Sequence, residues 1–177
     1  MKSSPTSDTV RTQYERYQLD LDAYHRRAQK GPCFVCQIVS GHMEHPEHVI
    51  YEDDHTIAFL DKYPRMYGYA LVAPRQHREQ VTGDFALAEY LRVQEVLYRV
   101  AEAIRQETGA ERVYLLSLGS NQGNAHLHWH VAPLPPGVPY LEQQLSAFRK
   151  GVLRIPDNDQ AALASRLRHR LENLDGG

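Results

Sequence analysis

The sequence predicts an α+β domain, and three observations carry that expectation. Two apolar runs, His48–Glu52 and His55–Leu60, flank the acidic pair Asp53-Asp54 and read as a β-hairpin. From Asp84 to Gly109, Ala86, Tyr90, Val93, Leu97, Val100, Ala101 and Ile104 recur at helical spacing, the core stripe of one long helix. In His126-Leu127-His128-Trp129-His130-Val131-Ala132-Pro133, polar and apolar residues alternate as they do along a half-buried strand. Strand groups on either side of one long helix, joined by short antiparallel connections, make an α+β fold rather than an alternating α/β one.

Each further element follows in chain order. Residues 1–10 are polar and expected to fray, and residues 11–177 read as one domain with a core over 33–133 and an extension over 134–177. Arg11 to Lys30, with Tyr14, Tyr17, Leu19, Leu21 and Tyr24, reads as a helix broken by Gly31-Pro32. Cys33 to Ser40 reads as a short helical turn ending near Gly41, and His42–Glu47 as a loop. After the hairpin, Tyr69–Ala73 is a third strand stopped by Pro74. Asp84 is the expected N-cap of the long helix and Gly109 its C-terminal stop. Val113–Leu118 is a fourth strand, and the histidine run, stopped by Pro133, is the fifth. Leu134–Tyr140 is a stiff, proline-rich loop, Leu141–Lys150 a short helix, and Asp157 or Asn158 caps a last helix reaching Asn173.

Composition narrows the function classes. Hydrophobic residues at 42% and charged residues at 24% describe an ordinary globular chain, and a formal charge of −2 argues against dedicated nucleic-acid binding. No apolar h-region follows Met1-Lys2-Ser3-Ser4-Pro5 and no run is long enough to span a membrane, so a cytoplasmic location is expected. The two cysteines, Cys33 and Cys36, point to metal ligation or redox chemistry ahead of a structural disulfide.

The chemistry concentrates in the fifth strand. There His126, His128 and His130 share one face, while Leu127, Trp129 and Val131 enter the core. Three same-face residues on a flat strand span roughly 13 Å, too far for all three to reach one metal ion easily. A row suits a substrate lying along the strand, with one imidazole attacking and a neighbour holding charge.

This His-X-His-X-His run followed by apolar residues resembles the signature of the histidine-triad (HIT) superfamily of nucleotide hydrolases and transferases. Tyr51–Asp54, Ile57–Asp61 and Gly68–His77 resemble the family's earlier strands in order and spacing, so the likeness extends from about Cys33 to Pro133. A third histidine at His130, where the galactose-phosphate uridylyltransferase branch usually carries Gln, points to the hydrolase-like branches. The resemblance implies a five-stranded antiparallel sheet with a long central helix and helices near both ends. It also implies a nucleotide substrate, a nucleoside phosphoramidate or dinucleoside polyphosphate, attacked at the α-phosphorus by His128 to form a nucleotidyl-histidine. By the same resemblance His130 stabilises a non-bridging oxygen, His126 completes the triad, and Gln122 is a phosphate-side donor. Asp61 corresponds to the ribose clamp, Phe34, Val35, Ile38, Phe59 and Leu60 surround the base, and Ser117 stands at a phosphate contact. A two-fold homodimer along the long helix and fourth strand is implied as well; Leu87, Leu91 and Val96 form a second apolar line on that helix.

Three positions depart from the family pattern. Tyr69 replaces a histidine and cannot carry positive charge, Ser117 replaces an Asn or Gln, and Gly123 replaces a Ser or Thr that assists the leaving group. These leave open a second reading, a non-catalytic nucleotide-binding or zinc-stabilised interaction protein. The Cys33-X-X-Cys36 pair is half a structural zinc site. In some bacterial HIT proteins the histidine after the third strand and the first triad histidine complete it, which implies His77 and His126 here. The competing local set draws on His42, His45 or His48.

Overall fold

The structure is a computed structural model, and it describes residues 14–42, 47–148 and 151–174. The frayed N-terminus expected over residues 1–10 lies outside them. The chain opens with β1 (Arg16–Tyr17), α1 (Leu21–Lys30) and α2 (Phe34–Ser40). The helix expected from Arg11 therefore starts ten residues later. Asp20 sets that start, because its carboxylate accepts the Ala23 N–H at 2.9 Å as an N-cap. Arg16 and Tyr17 instead pair in antiparallel fashion with a short strand near the C-terminus.

Five strands follow: β2 (Val49–Glu52), β3 (Thr56–Leu60), β4 (Ala70–Pro74), β5 (Arg112–Ser117) and β6 (Trp129–Leu134). They form one antiparallel sheet in the order β2-β3-β4-β6-β5. The β2–β3 turn is held by Asp53, whose Oδ1 accepts the N–H groups of His55 and Thr56, both at 2.7 Å. Pro133 does not stop β6, which continues to Leu134. Pairing with β4 ends at Val131, so Pro133 sits where β6 already has an edge on that side.

Between β4 and β5 lies α3 (Leu87–Thr108). Its N-cap is Ala86, whose N–H donates to the Glu89 carboxylate at 2.9 Å. Asp84, the expected cap, accepts from the N–H groups of Glu79 and Gln80 instead and closes the preceding turn. Gly109 ends the helix in the left-handed conformation, φ +65°. After β6 come α4 (Tyr140–Gln143), a 3₁₀ turn (Gln144–Phe148), β7 (Val152–Leu153) and α5 (Asp157–Leu174). Asp157 is the first residue of α5 rather than its cap; the Pro156 carbonyl accepts from Asp159 and Gln160.

The period-two alternation of the strands divides the core into two. Ala58, Leu60, Ala70, Val72, Trp129 and Val131 face α3 and α5, which contribute Val93, Leu97, Val100, Leu163 and Leu167. Ile57, Phe59, Tyr69, Leu71 and Ala73 face the opposite way, toward Val35 of α2 and Ala147 of the 3₁₀ turn. The second apolar line on α3 is split. Val96 belongs to the first core, while Leu87 and Leu91 are 73% and 55% exposed. No helix among the described residues is long and apolar enough to cross a membrane.

Candidate active site and metal centre

Only Trp129 onward is laddered, so His126, Leu127 and His128 precede β6 proper. Their alternation survives because the Leu127 N–H is tied to the Arg78 carbonyl at 2.6 Å. Leu127, Trp129 and Val131 enter the core under α3. The imidazoles lie on the other face, where the His128 and His130 rings are 4.8 Å apart and Phe34 meets His128 edge-on at 5.5 Å.

At the first end of the row, His126 uses both ring nitrogens. Its Nε2 donates to the Pro74 carbonyl at 2.8 Å, and its Nδ1 lies 3.3 Å from Cys33 Sγ and 3.5 Å from Cys36 Sγ. His77 brings its Nδ1 to 3.5 Å from Cys36 Sγ, while its Nε2 is held by Glu79 at 3.1 Å. The four donor atoms of Cys33, Cys36, His77 and His126 all lie within 4.8 Å of one another. A tetrahedral ion with Zn–S near ~2.3 Å and Zn–N near ~2.0 Å has sulfur-to-nitrogen edges of about 3.5 Å. Donor identity, spacing and outer partners thus fit a closed metal site, with each imidazole oriented by an oxygen on its far nitrogen. Burial and the neighbouring Cys33 push the Cys36 thiol up to about 11, and a bound cation would reverse that. Of the local alternative, His48 is paired with Asp157 at 3.0 Å and His42 is exposed, and neither joins a metal-ligand cluster among the described residues; His45 lies outside them.

His128 is 4% exposed, and its Nδ1 donates to the His126 carbonyl at 2.8 Å. That bond fixes the tautomer and leaves Nε2 unprotonated. Burial lowers its pKa, with the His126 carbonyl opposing, so the ring is neutral at neutral pH. At the far end the Tyr69 hydroxyl lies 3.2 Å from His130 Nδ1. Burial, then the His128 and Arg65 charges, hold His130 down to about 3. Burial and the Asp61 charge push Tyr69 up to about 12, against the charge and hydrogen bonding of Arg65. Both groups are therefore neutral at neutral pH, and the phenol keeps the proton it shares with the imidazole.

The other expected site residues divide. Phe34 and Phe59 pack edge to face at 6.3 Å on the imidazole side, with Val35 buried among them and Ile38 against the same cluster. Leu60 does not join them; one residue on from Phe59, it points into the core under α3. Asp61 follows β3 and accepts the Tyr63 N–H at 2.9 Å; burial raises its carboxyl, opposed by that bond and by Arg65. Ser117 donates to the His128 carbonyl at 3.3 Å, so it braces the backbone of the row. Gln122 is exposed on the Ser120–Gly123 turn, and among the described residues no contact joins its side chain to the imidazoles.

Two features escaped the sequence reading. Helix α1 lies over the loop before the row. A Cβ at Gly123 would come within 3.3 Å of the Ala28 backbone, and Asn124 donates to the Tyr24 hydroxyl at 2.8 Å. A serine at 123 would thus press on α1, which would have to give by a few tenths of an ångström. The other is Arg65, whose charge acts on Asp61, Tyr69 and His130 together. Only its sign was visible beforehand.

This geometry has known counterparts. The HIT domain family model matches residues 42–136, more than half of the chain. The chain belongs to the HIT family. An uncharacterised HIT-like protein of Mycobacterium tuberculosis is 32% identical over 152 residues, covering 81% of this chain and 96% of that protein. Among solved structures, a zinc-bound histidine triad protein from Mycobacterium smegmatis is 28% identical with a TM-score of 0.63, covering 81% of this chain and 96% of the other. A histidine triad nucleotide-binding protein from Sulfolobus tokodaii is 27% identical with a TM-score of 0.66, covering 81% and 94%. The HIT match runs from residue 42 to residue 136, so β1, α1 and α2 before it, and α4, the 3₁₀ turn, β7 and α5 after it, lie outside the match in this HIT protein.

Proposed function

We propose that this HIT protein is a nucleotidyl hydrolase or transferase acting on a nucleoside phosphoramidate or a dinucleoside polyphosphate. The observation that carries the reading is His128, buried, neutral and fixed through Nδ1 so that Nε2 is the nucleophile. In the first step a bond forms between Nε2 and the α-phosphorus, and the bond from phosphorus to the leaving group breaks, an amine departing with a proton taken up from solvent and a phosphate as its anion. In the second, water attacks the same phosphorus and gives up a proton to solvent, the phosphorus–Nε2 bond breaks, and the nucleoside monophosphate leaves with Nε2 returned to its free state. A nucleotide acceptor in place of water gives transfer. His130, with Nδ1 toward Tyr69, presents Nε2–H to a non-bridging oxygen. Phe34 and Phe59 offer the base an apolar wall, and Asp61 retains an oxygen for a ribose hydroxyl.

The metal centre is proposed to hold structural zinc through Cys33, Cys36, His77 and His126. It staples α2 and the chain after β4 to the row and fixes the His126 backbone, whose carbonyl in turn orients His128. A homodimer is proposed along α3 and the exposed edge strand β5, where Leu87, Leu91, Tyr98 and Leu115 remain uncovered. Light scattering at micromolar concentration should then read twice the 20.3 kDa chain mass, and a monomer would refute it.

One observation favours a non-catalytic nucleotide-binding or interaction role: Gly123 has no hydroxyl to assist the leaving group, and the exposed Gln122 side chain has no contact with the imidazoles among the described residues. Incubation with a nucleoside 5′-phosphoramidate separates the two. Stoichiometric release of amine and nucleoside monophosphate supports the enzyme; binding of the monophosphate without turnover of any phosphoramidate or dinucleoside polyphosphate supports the alternative.

A further inference from the structure

The segment Pro64-Arg65-Met66, in the loop between β3 and β4, is held by parts of the chain outside the matched HIT domain. The Leu153 N–H of β7 donates to the Pro64 carbonyl at 2.8 Å. Arg16 of β1 spans the same place, with Nη2 on the Arg65 carbonyl at 2.9 Å and Nη1 on the Gly151 carbonyl at 3.0 Å. Gly151 is at φ +79°, and a Cβ there would meet Arg16 Cγ and the Tyr17 carbonyl oxygen at 3.0 Å, so the clamp closes only over a glycine. Pro64 and Met66 are buried on either side. β1 and β7 are thus brought together on the backbone of Pro64 and Arg65.

That arginine stands at the open end of the histidine row. Its guanidinium lies beside the Tyr69 hydroxyl, which lies 3.2 Å from His130 Nδ1. Arg keeps its charge at any working pH and presents a fork of donors matched to phosphate oxygens. Transfer at a phosphoryl group needs such charge beside the non-bridging oxygens. Clamping the backbone limits the freedom that a long side chain loses on meeting its ligand.

We infer that Arg65 is the anion-recognition residue of this site, its guanidinium meeting the substrate phosphate beside His130, and that the β1–β7 ribbon is the device that holds its backbone in place. The inference rests on the nucleotide-site reading above and deepens it. Arg16 is a positioning residue in this account; Arg65 itself touches substrate.

The test is calorimetric titration of the full-length, metal-replete chain with AMP, GMP and adenosine, with the thermal midpoint of each variant as a second readout. Arg65→Met should weaken binding of the preferred monophosphate by roughly 10- to 100-fold, leave any adenosine binding within twofold, and leave the thermal midpoint unchanged. Arg65→Lys should recover part of the affinity, because it keeps the charge and loses the fork. Arg16→Ala should weaken the monophosphate by a smaller factor. Monophosphate binding to Arg65→Met equal to wild type would overturn the inference. So would a fall in monophosphate and adenosine binding by the same factor, or a lowered midpoint with affinity unrecovered by Lys, since each assigns Arg65 to packing alone. If the wild-type chain binds neither AMP nor GMP, the nucleotide-site reading fails and the inference falls with it.

Discussion

The two ends of the histidine row are built on opposite principles. At His126 both ring nitrogens are committed, one to the Pro74 carbonyl and one to the thiol pair. At His130 one nitrogen, Nδ1, meets a neutral phenol beside a permanent cation. His128 lies between, held by the backbone carbonyl of the closed end and ringed by Phe34 and His130 toward the open one. One repeated side chain thus has three environments, and each is set by what occupies the second nitrogen. On the proposed function, the closed end supplies rigidity and the open end recognition.

The largest expected effect falls in the middle of the row. His128→Ala should lower turnover by at least ~10³-fold, on the order of 4 kcal/mol of barrier, while nucleoside monophosphate binding survives. Activity within tenfold of wild type would dissolve the distinction between His128 and its neighbours.

Next comes the closed end. Protein purified without added metal should carry about one zinc per chain, and His77→Ala with His126→Ala should abolish it. An ion present at a thousand times its dissociation constant stabilises by about 4 kcal/mol, so a chelator should lower the thermal midpoint by roughly 8–16 °C in a chain of this size. Metal retained by the double variant would return the site to the local histidines of the 42–48 loop. Metal loss without any fall in midpoint would deny the closed end its structural role.

The smallest effect belongs to the open end and is read from pH. His130 is held down to about 3 in the folded protein by burial and by the His128 and Arg65 charges, whereas an unfolded histidine titrates near ~6.5. Below that unfolded value the unfolded chain binds a proton that the folded chain does not, so stability falls with falling pH. The window runs from about 6.5 down to the folded value of about 3. Chemical denaturation of His130→Gln should show a shallower loss of stability than wild type across the acid half of that window. Identical slopes would mean that His130 is not held neutral.

Much of this contrast was legible in the sequence. Alternation alone placed the imidazoles opposite Leu127, Trp129 and Val131, and the Cys33/Cys36 pair marked half of a metal site. Where the reading failed, the cause was local chemistry settled by a competing partner. Asp84 closes the Glu79–Gln80 turn instead of capping α3, and Leu60 faces away from Phe59 by the same alternation that placed the histidines. Contacts between distant segments were invisible. Gly123 lies against Ala28, ninety-five positions earlier in the chain, and the backbone carbonyl of Arg65 is held by Arg16 of a ribbon whose strands are far apart in sequence. No window of sequence contains either pairing.

The central claim is that the imidazole with its inner nitrogen on a backbone carbonyl is the one that bonds to phosphorus. Rapid acid-free quenching of a reaction with a nucleoside 5′-phosphoramidate, followed by peptide mass spectrometry, reads this directly. A nucleotidyl group on the peptide containing the row, localised to His128 and absent from His128→Ala, is the expected result. An adduct on His126 or His130, or turnover that persists in His128→Ala, would contradict the account.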